Sequence, residues 1–278
     1  MSIIQPIIGP LIEPIIRGID APLGGGSQSL TDQVRAALFS NGEQGGMWDA
    51  TDMATLFQDS AGTTPVTSVT QPIGKMLDLS GNANYMWQAT AGARPQYTAD
   101  GALFDGVDDT MAAASASIPY AQSNGFTLAA AYSDKNNGTI GASVISASVS
   151  LIIGGVQYLA MLTRNDSAPQ AWTNIRNIGD LTPSIPSAST SSGSKPADTV
   201  VSQVSWADSG EVHVKLDNGP VYSAPFAGDS SMAFTRLSLN ESPTDTQCER
   251  TTRRALACNR SLTLDEHEIV RAWLMEGV

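Results

Sequence analysis

Residues 199–219 read TVVSQVSWADSGEVHVKLDNG. Val212, Val214 and Leu216 are separated by His213 and Lys215, the period of two that lets a strand bury one face and wet the other. Thr199–Trp206 before them is rich in β-branched and aromatic residues, which suit a strand. Asp217-Asn218-Gly219 closes the run, and Asn-Gly supplies the positive φ angles of a type I′ hairpin turn.

The same texture extends outward in both directions. Short apolar runs broken by Gly, Pro, Asn and Asp predict strands at Met47–Asp49, Thr67–Val69, Ala102–Phe104, Thr127–Tyr132, Ser148–Ile153, Tyr158–Thr163 and Phe234–Leu239 as well. Leu181–Ala197, with eight Ser or Thr and three Pro, is predicted to be a long exposed loop. Helical spacing occurs twice. Leu30, Val34, Ala37 and Leu38 fall on one face of a short helix over residues 29–39, with Ser29 or Thr31 as N-cap. Thr263 and Glu266 form a T-x-x-E capping box ahead of Ile269, Val270, Trp273 and Leu274, which predicts a closing helix packed on the sandwich. The expected fold class is all-β: a β-sandwich with an extended N-terminal arm, a short N-terminal helix and a C-terminal helix.

The arm has its own pattern. QPIIGPLIEPIIR, residues 5–17, repeats Pro followed by two branched aliphatics. Proline at that spacing forbids a regular α-helix and favours an extended path. Ile3, Ile4, Ile7, Ile8, Leu11, Ile12, Ile15 and Ile16 each lose on the order of 1.5–3 kcal/mol of burial energy if left in water, so they are expected to be an assembly element, buried against sister subunits or a particle surface. The alternative is an arm folded onto its own domain. No basic n-region precedes the stretch, so it is read as retained and not as a signal peptide. Leu23-Gly24-Gly25-Gly26-Ser27 is a hinge. The expected organisation is therefore 1–27 arm and hinge, 28–45 short helix and linker, and 46–278 sandwich with terminal helix.

Net charge is −12 and the sequence pI about 4.4. That balance repels a phosphate backbone, and the densest basic run is only Arg250, Arg253, Arg254 and Arg260, so no nucleic-acid partner is expected. No segment reaches the ~20 apolar residues that span a bilayer, so no membrane insertion is expected. Cys248 and Cys258 lie outside any CxxC pair, and His213 and His267 stand alone, which argues against zinc. Reduced thiols are expected, with a Cys248–Cys258 disulfide as the alternative.

Six stretches in order resemble the concanavalin A-like, laminin-G-like jelly-roll domains of tailed-bacteriophage proteins: GEQGGMWDATDMATLFQDSAGTTPVT (42–67), QPIGKMLDLSGNANYMWQATAGARP (71–95), GALFDGVDDTM (101–111), GFTLAAAY (125–132), VSQVSWADSGEVHVKLDNGP (201–220) and ALACNRSLTLDEHEIVRAWL (255–274). Asn82-Ala83-Asn84 departs from the Gly-rich continuation usual after Ser80-Gly81. The resemblance implies the sandwich. It is weak for function, because this fold hosts sugar binders, glycosidases and inert particle subunits.

Chemistry is sparse. The E-x-D-x-E run by which glucanases of this fold place two carboxylates on one strand face is missing. Asp105, Asp108 and Asp109 are read as turn formers, with calcium the only cofactor they suggest. Asp265, Glu266, His267 and Glu268 are read as helix-start residues complementing the dipole. Neither a nucleophile elbow nor a nucleotide loop is found. Trp48, Trp87, Trp172, Trp206 and Tyr97 can stack on sugars only where exposed; Trp48 and Trp206 are read as core, and Trp172 as the candidate carbohydrate contact. The chain is expected to be a virion structural protein without enzymatic activity. Capsid decoration or head fibre comes first, then tail fibre or baseplate component, with homotrimeric arms contacting capsid or tail subunits. The alternatives are a host-polysaccharide-binding lectin and, third, a glycosidase.

Overall fold

The computed structural model describes residues 28–113, 118–120, 125–134, 143–148, 159–165, 172–175, 188–189, 199–206, 211–225, 232–234, 236–241 and 249–278. The arm (1–27), Cys248, most of the 181–197 stretch and the far end of the strand expected at Ser148–Ile153 lie outside them.

Helix α1 (Leu30–Leu38) is followed by strands β1 (Gly45–Asp49), β2 (Leu56–Phe57), β3 (Lys75–Met76), β4 (Met86–Trp87), β5 (Gln96–Thr98), β6 (Gly101–Asp105) and β7 (Met111–Ala113). Next come β8 (Ile118–Tyr120), β9 (Phe126–Asp134), β10 (Ser143–Ser148), β11 (Leu159–Asn165), β12 (Trp172–Ile175) and β13 (Ala188–Ser189). The chain continues through β14 (Val200–Trp206), β15 (Glu211–Leu216), β16 (Tyr222–Pro225), β17 (Met232–Phe234), β18 (Arg236–Leu239), β19 (Glu249–Cys258) and α2 (Leu264–Leu274). One antiparallel sheet runs β16-β15-β14-β9-β19-β6-β5, with β1 also on β19; the other runs β13-β12-β11-β10-β18-β7-β4-β3-β2; β8 and β17 form a separate pair. The all-β sandwich is thus present, flanked by the two expected helices.

Alternation explains the layers. Leu128, Ala130 and Tyr132 of β9 join Ala255 and Ala257 of β19 in the core, where they meet Met76, Met86, Met111, Leu237 and Leu239 of the opposite sheet. Ala129, Ala131, Leu256 and Cys258 point the other way and pack under Val34 and Leu38 of α1 and Val270, Trp273 and Leu274 of α2. Alanine at 129 and 131 leaves room for helices to sit directly on the sheet. β19 is buried on both faces, and so reads as a continuous run and not as an alternating one.

β19 is also where the two ends of the described chain meet. Its first half pairs with β6 and its second half with β1. A bulge against β9 between Thr252 and Arg254 shifts the side-chain parity. Arg254 reaches the C-terminal end of α2, binding the Trp273 carbonyl, and pairs with buried Asp49 at 2.7 Å. Arg253 donates to the Gly277 carbonyl at 3.1 Å. Gly45 takes φ +148, and a Cβ there would lie 2.0 Å from the Ala257 carbonyl oxygen, so only glycine lets β1 start this close.

Three local expectations change. Thr67–Val69 is a turn, because the Gln71 side-chain oxygen accepts from Thr67 N at 2.7 Å and Ser68 N at 3.2 Å and takes those amides from any ladder. The β15–β16 connection is wider than a two-residue hairpin, with Val214 the last residue paired to β16, opposite Tyr222. Within it the positive φ falls on Asp217 (47°), whose carboxylate accepts from Val201 N at 2.8 Å. Phe234–Leu239 divides into β17 and β18, which join different sheets. The capping box of α2 forms, and Ser29 caps α1 by accepting from Asp32 N at 3.1 Å.

Candidate functional site

On β2, β3 and β4 the pairs Leu56–Met76 and Met76–Met86 face the core, so Phe57, Lys75 and Trp87, in register on the alternate positions, face away from it. Lys75 and Trp87 floor a cleft of about 350 Å³ whose walls are Ser60 and Ala61 on one side and Ala83 and Tyr85 on the other. Tyr85 and Trp87 are 39% and 38% exposed, a large aromatic surface to leave in water.

Both walls are held by carboxylates spent on the backbone. Asp59 accepts from Thr63 N at 3.2 Å, Thr64 N at 2.7 Å and Thr63 Oγ1 at 3.0 Å. The Thr63 amide leads the hydrogen bonds that hold its carboxyl well below the usual range. Asp78 accepts from Met47 N at 2.9 Å, Ser80 N at 2.8 Å, Ser80 Oγ at 2.8 Å and Asn84 N at 2.9 Å. The Trp48 indole donates to the Asn84 carbonyl at 2.9 Å, tying this loop to the core. The Lys75 ammonium lies 4.5 Å from the centroid of the Tyr85 ring. On its other side is Gly62, where a Cβ would sit 3.0 Å from Lys75 Cδ and 3.2 Å from Nζ. Lys75 has no ion-pair partner among the described residues.

Asp105, Asp108 and Asp109 form a second constellation, each offering an oxygen within 4.8 Å of the others. Asp105 Oδ1 accepts from Val107 N at 2.8 Å, and Asp109 Oδ2 accepts from Asp105 N at 2.9 Å, so the cluster builds its own turn. Burial pushes the Asp109 carboxyl up to about 6; the Asp105 amide bond opposes this, and the Asp105 and Asp108 charges reinforce it. The donors suit a hard cation, but calcium takes roughly six to eight oxygens, and two of the carboxylate oxygens here are already bonded to amides. The three residues alone do not make a calcium cage.

The other sequence candidates separate. Trp48 and Tyr97 are buried and so unavailable for stacking. Trp172 is placed on β12 opposite Asn165 and Ser189, and its side chain lies outside the described residues, as does that of Trp206. The eight aliphatics of the arm lie outside them too. Of the basic run, Arg250, Arg253 and Arg254 are buried, and Arg260 is partly buried and paired with Glu266. His267 lies in the first turn of α2 as expected, and its side chain is also buried: its Nδ1–H donates to Gln203 Oε1 at 2.9 Å and its Nε2 accepts from Ser205 Oγ at 3.2 Å. Burial drives its pKa down to about 4, helped by His213 and Lys215. Cys258 is a free thiol that donates to the Leu38 carbonyl at 3.5 Å, and burial pushes its pKa up to about 12. Of the cleft, only Trp87 stood among the aromatic candidates; Lys75 and Tyr85 were missed, because two-residue strands carry no readable period.

No protein-family model and no curated protein matches the chain. Solved structures do resemble it. A GH54 α-L-arabinofuranosidase soaked with 4-nitrophenyl α-L-arabinofuranoside aligns at TM-score 0.57 and 11% identity, over 86% of this chain and 64% of that one. The same enzyme class with arabinofuranosyl-α-1,2-xylobiose gives 0.56 and 11%, over the same shares. Trypanosoma rangeli sialidase with 2,3-difluorosialic acid gives 0.53 and 14%, over 90% of this chain and 38% of that one. The chain thus spans under two thirds of the arabinofuranosidase and well under half of the sialidase, and at these identities the likeness shows the fold alone. The expectation of a chain without enzymatic activity is withdrawn, because the solved folds it resembles are those of glycosidases.

Proposed function

We propose that this chain is a structural subunit of a tailed-bacteriophage particle, a concanavalin A-like jelly roll displayed outward from an anchored arm. Capsid decoration or head fibre is the preferred place, ahead of tail fibre or baseplate, and three sister arms wound together are the preferred anchor. The observation that supports this reading is the aliphatic-proline repeat of residues 5–17 with its Gly24-Gly25-Gly26 hinge. So much paired Ile and Leu rewards burial against other chains at ~25 cal/mol per Å², while the hinge frees the sandwich to point away.

Helix α1, just beyond the arm and hinge in sequence, is fastened to the rest of the sandwich. Arg260 donates to the Ala37 carbonyl at 2.6 Å, and the Trp273 indole donates to Thr31 Oγ1 at 3.1 Å. Deleting residues 1–26 is expected to leave a folded sandwich that no longer joins the particle, and changing Ile7, Ile8, Leu11 and Ile12 together to Ser should reproduce the defect. Incorporation of the truncated chain at normal copy number sinks the proposal.

A further inference from the structure

We infer that the cleft between the 59–64 turn and the 78–85 loop is a binding site for an anion-bearing saccharide, with Trp87 as the stacking platform and Lys75 as the reader of the negative group. The site is independent of the arm and needs only the sandwich.

Three features point to this ligand. First, the volume, about 350 Å³, is that of a small-molecule site, and the cleft is open at the surface, as a chain of sugars requires. Second, an indole and a phenol more than a third exposed on a rigid strand and loop lose hydration when a sugar's C–H face covers them, and the polar edges of the same rings remain able to bond hydroxyls. Third, Lys75 is a fixed charge. Gly62 on one side and the Tyr85 ring on the other confine its stem and ammonium, so little side-chain entropy remains to be lost on binding. A neutral saccharide would leave that ammonium with only the Tyr85 ring against it. A carboxylate or sulfate on the sugar would pair with it, and a charge-assisted bond is the stronger kind.

The surroundings are consistent with an anion. The nearby Asp59 and Asp78 carboxylates are turned into their own loops, where backbone amides already neutralise much of their field. The walls therefore keep their shape whether or not a ligand is present, and no loop must order on binding. The chain's net charge of −12 would otherwise repel a polyanion, so recognition depends on this one cation in a way that a basic surface would not.

The test is a glycan array probed with the full chain, holding uronate-bearing, sulfated and neutral oligosaccharides. Hits are expected among the acidic glycans only, and the uronate and sulfate arms identify which anion is read. Lys75→Met should weaken those hits by about tenfold or more and Lys75→Arg should restore part of the loss; Trp87→Ala should weaken them similarly without changing the unfolding midpoint. Equal binding of neutral and acidic glycans, hits that survive both Lys75→Met and Trp87→Ala, or no acidic hit at all would overturn the inference.

Discussion

The helix-covered face of the first sheet and the cleft edge of the second are built from opposite materials. Under α1 and α2 the sheet is buried on both sides, ten-residue β19 pairs with three strands, and buried charges such as Asp49 and Arg254 are matched to each other. At the cleft the strands are two residues long, and shape comes from Asp59 and Asp78 binding amides of their own turns. The first region resists deformation through packing. The second holds a fixed shape with little packing, which leaves its aromatic rings in water. Stability and recognition can then be changed separately.

Breaking the helix-covered side should cost most. Asp49→Ala leaves Arg254 buried with only Glu276, 3.1 Å away and half exposed, as a carboxylate partner. Loss of one partner of a buried pair costs about 3–5 kcal/mol, so the urea midpoint should fall sharply while Trp87-dependent binding of any glycan persists in the fraction still folded.

Acid should weaken the same side next. His267 has a folded pKa of about 4, below the unfolded value of about 6.5, so the unfolded chain binds more protons between the two. His267's contribution is complete above about pH 6.5 and lost as pH falls towards 4, a change of up to about 3 kcal/mol. Asp109 acts with the opposite sign, since its folded pKa is raised to about 6 and the folded state gains as pH falls below that. Chemical unfolding from pH 7 to 4.5 in an Asp109→Asn background should therefore show the loss more steeply, and His267→Gln should flatten it.

Asp78→Ala tests the cleft side. Removing the acceptor of three amides and a hydroxyl should cost about 1–3 kcal/mol, less than Asp49→Ala, yet it should reduce glycan binding far more. A smaller effect still concerns Cys258: in a Cys248→Ser background a thiol reagent should label it only as fast as the chain unfolds, because burial holds the thiol protonated.

Sequence carried the long elements and lost the short ones. β15 was readable because alternation persists over several residues, β9 and β14 because apolar, β-branched and aromatic residues run together, and α2 because Thr263 and Glu266 announce its start. β2, β3 and β4 were not, since a two-residue strand shows no period and its place is set by partners far along the chain. The cleft was illegible for the same reason: Lys75, Tyr85 and Trp87 meet only through the register of β3 with β4 and the reach of the 59–64 turn. The burial of His267 was not legible, because an acidic, polar helix start conceals that one of its residues points inward at Gln203 and Ser205.

The chain is proposed to be anchored through its arm with the sandwich displayed outward. Electron cryomicroscopy of intact particles, incubated with an antibody fragment raised against the 59–64 turn, tests it most directly. Fragment density is expected on the outer surface at every copy of the subunit. Fragments that bind the free chain but leave intact particles bare would contradict it.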